Sequence, residues 1–393
     1  VRAFSALAGR AARSAAIAQL VEHVIRNDGV GGSNPSCGTS AQDGQSLFEG
    51  STKSCVVRLR DFNQEKASGL SFVGTVPAAG NGPSTPLRVL YIMGHSRSGS
   101  TILNNLLGSH QQIVAVGELV NLVEKGWNQH LPCSCGEPGD LCPFWMEVRR
   151  HWSELAGGED LPRYARLQRR FERIRSIPLV LYSLYWGDPV FNEYVRATTL
   201  LFAAVARVAG RDVVVDASKN PVRALALSRA PEIDLTIVHL IRDARGVAWS
   251  FNRSSQAVAK TALFWIAITL VSSFVSKFSR KGLLLRYEDL ARFPRTALGR
   301  IQPLVGLCYD HVSAFVEAGG KIPSVHCIAG NRLRKQGPLQ LRLDEQWRLA
   351  LPLRDKILVW LLAGWLLRCF GYRLARDEAP ASTGHVDGVY PDL

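Results

Sequence analysis

The sequence predicts an α/β fold, a three-layer sandwich around a central, mostly parallel sheet. Three observations predict it: short apolar runs of strand length, helix-like stretches between them, and globular composition. Apolar residues make up 47% of the chain and charged residues 20%, the balance of a chain that buries a core. The first strand expected is Arg88–Met93 (RVLYIM), which leads into a glycine-rich turn. Val213–Asp216, Leu235–Ile241 and Leu283–Leu285 are the next three. Between them, Ile102–Leu107 carries apolar positions at helical spacing, Pro221–Arg229 has proline near its start, and Gly246–Arg253 and Thr261–Phe278 also read as helices. Strands alternating with helices predict parallel pairing with helices on both faces. Residues 126–210 hold Trp, Arg and Tyr at helical spacing and predict a helical insertion, or lid, over the sheet.

The domain is expected over residues 87–375, with a flexible tail at 376–393. Residues 1–86 are rich in Gly, Ser and Ala and read as a disordered or spurious extension that ends in a linker. No Met precedes Met93. Ala18–His23 back-translates to GCTCAGTTGGTAGAGCA and Gly32–Pro35 to GGTTCGAATCC, which resemble the D-arm and T-arm of a transfer-RNA gene. Residues 14–40 are therefore expected to be a conceptual translation of such a gene.

The formal charge of +14 favours anionic ligands in general. Nucleic-acid binding has only this charge in its favour and is not expected. Eight cysteines in 393 residues are too sparse for a disulfide scaffold. No signal peptide is evident, and the apolar runs Thr261–Ser276 and Ile357–Leu367 fall short of the roughly 18–20 residues of a spanning helix. A cytoplasmic protein is expected, with peripheral membrane contact as the lesser use of these runs.

The strongest local motif is Gly94-His95-Ser96-Arg97-Ser98-Gly99-Ser100-Thr101. It follows a strand and opens a helix, where free backbone N–H groups point at an anion. The G-x-x-x-x-G spacing is that of a Walker A loop, so the fold expected is of the P-loop type. The lysine that an ATPase uses on the β- and γ-phosphates is replaced by Ser100, and the cation available is Arg97 inside the loop. A second anion site is expected at Ile241-Arg242-Asp243-Ala244-Arg245-Gly246-Val247-Ala248-Trp249-Ser250, where Arg242 and Ser250 straddle a strand end and the next helix. Pairing of Arg242 with a carboxylate is the alternative.

As a pair, these motifs resemble the 5′-phosphosulfate loop and the 3′-phosphate motif of sulfotransferases that use 3′-phosphoadenosine 5′-phosphosulfate. Three further segments are similar to that family: Val215–Pro221, as its lysine-bearing turn; Leu285–Leu290, whose Tyr287 is then near the nucleotide; and Gly330–Lys335, as a basic loop closing over the donor. The resemblance runs from about Leu87 to Tyr372 and is closest to the bacterial and tyrosylprotein-like enzymes. It implies donor binding by Arg97, Ser98, Gly99, Ser100, Thr101, Arg242, Ser250, Tyr287, Arg332, Arg334 and Lys335. It further implies transfer to a small-molecule, carbohydrate or lipid hydroxyl.

Sulfuryl transfer, like phosphoryl transfer, relies on positioning and charge stabilisation. Glu118 matches the catalytic base of the tyrosylprotein-type enzymes, and Lys219 is the candidate for stabilising charge on the oxygen that links sulfur to phosphate, with Arg97 sharing that work. His95 and His110 match no family base, and His239, in a strand, is expected in the core. Residues 126–210 and the loop before Gly330 are expected to form the acceptor pocket. Cys133, Cys135 and Cys142 offer ligand types suited to zinc. Their spacing is poor for a knuckle and no fourth ligand is evident beyond nearby His130, so free thiols or a disulfide are expected, with no metal site and no metal required for the chemistry. Two alternatives remain, a P-loop kinase or NTPase, for which Asp216 is the best metal-binding carboxylate, and a non-catalytic nucleotide-binding module.

Overall fold

The computed structural model describes residues 85–251, 255–330 and 337–374. The N-terminal extension to residue 84, the tail from 375 and the basic-loop residues Arg332, Arg334 and Lys335 lie outside the described residues.

Five strands form one sheet in the order β2-β3-β1-β4-β5: β1 (Leu87–Met93), β2 (Ile113–Ala115), β3 (Val213–Lys219), β4 (Ile233–Ile241) and β5 (Lys281–Arg286). All neighbouring pairs are parallel, so the sheet expected to be mostly parallel is wholly so. The four expected runs mark β1, β3, β4 and β5, and the last three strands outlast them. Ala217–Lys219 continues β3 and Ile233–Asp234 begins β4, because backbone pairing with β1 extends past the expected stretch.

Successive β1 side chains serve opposite faces of the sheet. Val89, Tyr91 and Met93 join one apolar cluster, and Leu90 and Ile92 the other. The second face is covered by α1 (Ser100–Leu107), which buries Leu103, Leu106 and Leu107. The first face is covered by the helical insertion, α2 (Pro143–Ala156), α3 (Leu161–Phe171), α4 (Ile177–Trp186) and α5 (Pro189–Ala209), followed by α6 (Pro221–Leu227). The insertion packs over the sheet as a core layer. Trp145, Trp152, Tyr164, Phe171, Phe191, Tyr194 and Phe202 are all buried in it. Aromatic side chains at helical spacing formed a continuous apolar face, and the sheet is what that face covers.

Beneath that layer Arg223 of α6 is fully buried against Glu172 and Asp216. Tyr164 and Tyr194 hydroxyls complete the network. A charge this deep is tolerable because carboxylates and hydroxyls surround it.

A third cluster gathers α7 (Ala244–Phe251), α8 (Ser255–Ser276), α12 (Trp347–Ala350) and α13 (Leu353–Cys369). Between β5 and α12 lie α9 (Tyr287–Arg292), α10 (Pro294–Val305) and α11 (Asp310–Glu317). The helix containing Thr261–Ser276 begins earlier than its apolar run. Its Val258–Ser276 stretch of 19 residues is long and apolar enough to cross a membrane, with 61% of that window buried. This corrects the expectation of a run too short to span, since helical geometry carries through Lys260 without a break.

Candidate functional site

In an open parallel sheet the carboxyl ends of the strands beside the point where strand order reverses form a ligand crevice. Here β1 lies between β3 and β4, and the loop 94–99 leaves its carboxyl end. Gly94 has φ 136° and turns directly over β4, where a Cβ would run into the Leu240 carbonyl oxygen. Gly99, at φ 90°, caps α1, and a Cβ there would lie 2.5 Å from the Tyr287 ring. Arg97 adopts φ 68° without being glycine, a conformation that costs about 1–2 kcal/mol and marks a constrained turn. Among the described residues the buried Ser98 hydroxyl has no hydrogen-bond partner, and it precedes the N-terminus of α1. An orphaned donor beside free helix amides suits an anion.

His95 is buried within the same loop, edge-on to Phe251 and Phe264. Its Nδ1 lies 2.7 Å from the Ser96 carbonyl oxygen, so Nδ1 carries the proton. Burial pushes this imidazole down to about 4, against the opposing effect of that hydrogen bond. It is a neutral packing group, and it does not face the cleft described below. His239 is likewise buried, in β4, and its pKa falls to about 3. His110 packs beside Tyr309 and His311.

On the β4 side, Arg242 leaves the strand end and is buried. It donates to the Arg97 carbonyl at 3.1 Å, bonds Asp344 through both its carbonyl and its Oδ2 at 2.9 Å, and lies over the Tyr287 ring at 4.6 Å. Its Nε has no hydrogen-bond partner among the described residues. The carboxylate alternative is therefore present, with Asp344 as the partner. Asp243 is committed elsewhere, to Arg245 at 2.7 Å and to the first turn of α7. Tyr287 donates to the Arg342 carbonyl and accepts from the Asp344 amide, so its ring is fixed between Gly99 and Arg242. Ser250 is half-buried near the end of α7.

On the β3 side, Glu118 and Lys219 form a partly buried ion pair. Their placement is built from both neighbours. Gly117, at φ 67°, donates from its amide to Asn104 Oδ1 of α1 at 3.1 Å, and its carbonyl accepts from the Ala217 amide at 2.7 Å. Asp216 Oδ1 accepts from Leu119 N and Ser218 N, and Ser218 Oγ accepts from Val120 N. Asn121 Nδ2 donates to the second Glu118 oxygen at 2.8 Å. Lys219 takes φ 65° before Asn220 caps α6. Asn104, Ser218 and Asn121 were not singled out from sequence, because each acts on a segment that only the fold brings near.

Asp216 cannot serve as the metal-binding carboxylate a kinase would need, since it is fully buried, holds two amides with one oxygen and faces Arg223 with the other.

Glu118, Lys219, Ser100, Thr101, Asn104 and Asn105 line one cleft of about 310 Å³, open solvent included. Its remaining wall is the segment 322–330, through Ser324, Val325, Cys327 and Ala329. No residue of 126–210 lines it. Of the two segments expected to form the acceptor pocket, the loop before Gly330 lines this cleft and 126–210 does not. The insertion buries most of its aromatic side chains against the sheet, while Tyr182, Tyr185 and Trp186 stay exposed.

No protein-family model matches the chain, and no curated protein does. Among solved structures it is similar to the sulfotransferase domain from the Synechococcus PCC 7002 olefin synthase, at TM-score 0.42 and 20% identity, over 75% of this chain and 99% of that one. It is also similar to the sulfotransferase domain from the curacin biosynthetic pathway, at TM-score 0.43 and 16% identity, over 74% of this chain and 99% of that one.

Proposed function

We propose that the chain is a sulfotransferase of the bacterial or tyrosylprotein-like kind, moving the sulfuryl group of 3′-phosphoadenosine 5′-phosphosulfate to an acceptor hydroxyl. The observation that carries this reading is a glycine-rich loop with serine where an NTPase has lysine, whose Arg97 carbonyl accepts from Arg242 at the end of the neighbouring strand β4. In this reading Arg97, Ser98, Gly99, Ser100 and Thr101 hold the 5′-phosphosulfate. Arg242 and Ser250 hold the 3′-phosphate, Tyr287 flanks the nucleotide, and Arg332, Arg334 and Lys335 close over it. Arg242 exchanges Asp344 for phosphate when the donor binds, and its unpartnered Nε supplies a further donor.

Glu118 takes the acceptor's proton as the acceptor oxygen attacks sulfur. The bond from sulfur to the 5′-phosphate oxygen breaks, Lys219 stabilises the charge left on that oxygen, and adenosine 3′,5′-bisphosphate departs. The Glu118–Lys219 ion pair supports this division of labour, because base and cation already meet at the wall of the cleft. The transfer step uses no metal. The acceptor is a carbohydrate, lipid or other small-molecule hydroxyl.

Thermal-shift measurement with adenosine 3′,5′-bisphosphate and with ATP tests the reading. The bisphosphate should raise Tm more than ATP at equal concentration, since saturation at 100 times Kd adds about 2.7 kcal/mol to the folded state. A clear preference for ATP overturns it.

A further inference from the structure

Cys133, Cys135 and Cys142 lie in the turn between the helical turn Leu122–Asn128 and α2. Their spacing supplies three soft ligands and no fourth. His130, the neighbour in sequence, is engaged with Asp140 at 2.8 Å. The fold brings a different histidine. His326 Nδ1 lies 3.6 Å from Cys133 Sγ and 3.4 Å from Cys142 Sγ, and Cys135 Sγ lies 3.6 Å from Cys142 Sγ. All four ligand atoms lie within 4.8 Å of one another.

Zinc bonds of about 2.3 Å to sulfur and about 2.0–2.1 Å to nitrogen, at tetrahedral angles, set ligand atoms about 3.5–3.8 Å apart. Two of the separations here, at 3.6 Å, already have that size, the 3.4 Å one falls just short of it, and the longest closes by about 1 Å to meet it. A Cys135–Cys142 disulfide would leave Cys133 and His326 converging for no reason.

The surroundings hold the ligands in register. Cys133 accepts from Gly136 and donates to Glu137, closing a tight turn whose Gly136 has φ 104°. Ser134 is locked to the other segment, donating from its amide to the Cys327 carbonyl at 2.9 Å and accepting the Cys327 amide at 3.0 Å. Phe144 stacks on the His326 ring at 5.0 Å and 17°, fixing its plane. Cys133 and Cys142 are buried, while Cys135 and His326 face solvent and leave an entry path.

We propose that Cys133, Cys135, Cys142 and His326 bind one zinc ion that fastens the 322–330 segment to the insertion. Thiolates and imidazole are the ligand set of structural zinc, and four protein ligands close the coordination sphere, so the ion is a clamp and not a catalyst. Binding deprotonates the thiols and releases their protons to solvent. The clamped segment carries Ser324, Val325, Cys327 and Ala329 into the cleft wall beside Glu118. Zinc thus holds one wall of the cleft in place, a role independent of the sulfuryl-transfer reading.

Metal analysis of the purified, reduced full chain should find one zinc per chain. Cobalt exchanged into the wild-type protein should give the intense thiolate charge-transfer and tetrahedral ligand-field bands of a sulfur-rich site. His326→Cys should keep the metal, while His326→Ala should lose it. Hydrogen exchange over 322–330 should accelerate when the ion is stripped with a chelator and recover when zinc is restored. Folded, reduced wild-type protein that takes up neither zinc nor cobalt overturns the proposal, whatever the variants do. So does a Cys135–Cys142 disulfide in metal-free protein, or full zinc retention in His326→Ala.

Discussion

The two sides of the cleft are organised differently. On the β3 side a cation and a carboxylate meet directly, and their backbone is pinned from two neighbouring elements, α1 and β3. On the β4 side the cation is buried, lies over an aromatic ring and bonds a loop carboxylate from 102 residues away. In the sulfotransferase reading proposed above, the first arrangement serves proton movement and charge stabilisation, and the second is a binding arm whose present partner competes with the anion it would hold. Substitutions on the two sides should therefore split turnover from affinity.

The largest expected effect is on the β3 side. Glu118→Gln should lower kcat by about 10²–10⁴-fold, the usual worth of a general base, and leave the Kd for adenosine 3′,5′-bisphosphate unchanged. Full turnover in this variant would remove Glu118 from the chemistry and with it the contrast between the two sides.

Next in size is a pH effect through the loop that joins them. The folded pKa of His95 is about 4, below its ordinary 6.5, so the unfolded chain binds the proton more readily. The stability this contributes is complete above about pH 6.5 and is lost as pH falls toward 4. It amounts to about 3 kcal/mol at one pKa unit per 1.4 kcal/mol. Urea unfolding across pH 7.5 to about 4.5 should show the decline, and His95→Asn should flatten it. An unchanged slope in that variant would place the sensitive group elsewhere.

The smallest effect sharpens the β4 side. Arg242→Gln should weaken adenosine 3′,5′-bisphosphate by roughly 10- to 100-fold, the loss of one or two charge-assisted hydrogen bonds, and change ADP binding little. Asp344→Asn should move the bisphosphate the other way, tightening it a few-fold by removing the competitor. Calorimetry reads both. Equal losses for ADP and the bisphosphate in Arg242→Gln would show that Arg242 supports the loop and does not read a 3′-phosphate.

Much of the β4 side was legible in the residues themselves. The loop Gly94–Thr101 and the segment beginning at Arg242 are contiguous, and each carries its own signal in glycine placement and charge. The strands were legible for the same reason, because β1 and β4 are buried on both faces and so nearly continuous in apolar residues. Asp344 was not, because nothing near it in the chain hints at a partner 102 residues back. Residues 126–210 were legible as an insertion or lid over the sheet, but helical periodicity says that a face is buried without saying which of the two it is.

By itself the sequence determined the α/β class, four of the five strands, the glycine-rich loop between the first strand and its helix, and the candidate pair Glu118 and Lys219. The tertiary structure alone decided that these two side chains touch, that Asp216 faces the core, that 322–330 walls the cleft, and that His326 meets Cys133, Cys135 and Cys142. The physical reason is range. Local motifs record backbone conformation and periodicity within a few residues, whereas a ligand set or an ion pair is closed by segments whose proximity depends on how every layer between them packs. The sequence points to thiols or a disulfide at Cys133, Cys135 and Cys142 and to no metal site, because their one missing companion, His326, comes from a segment that only the fold brings beside them.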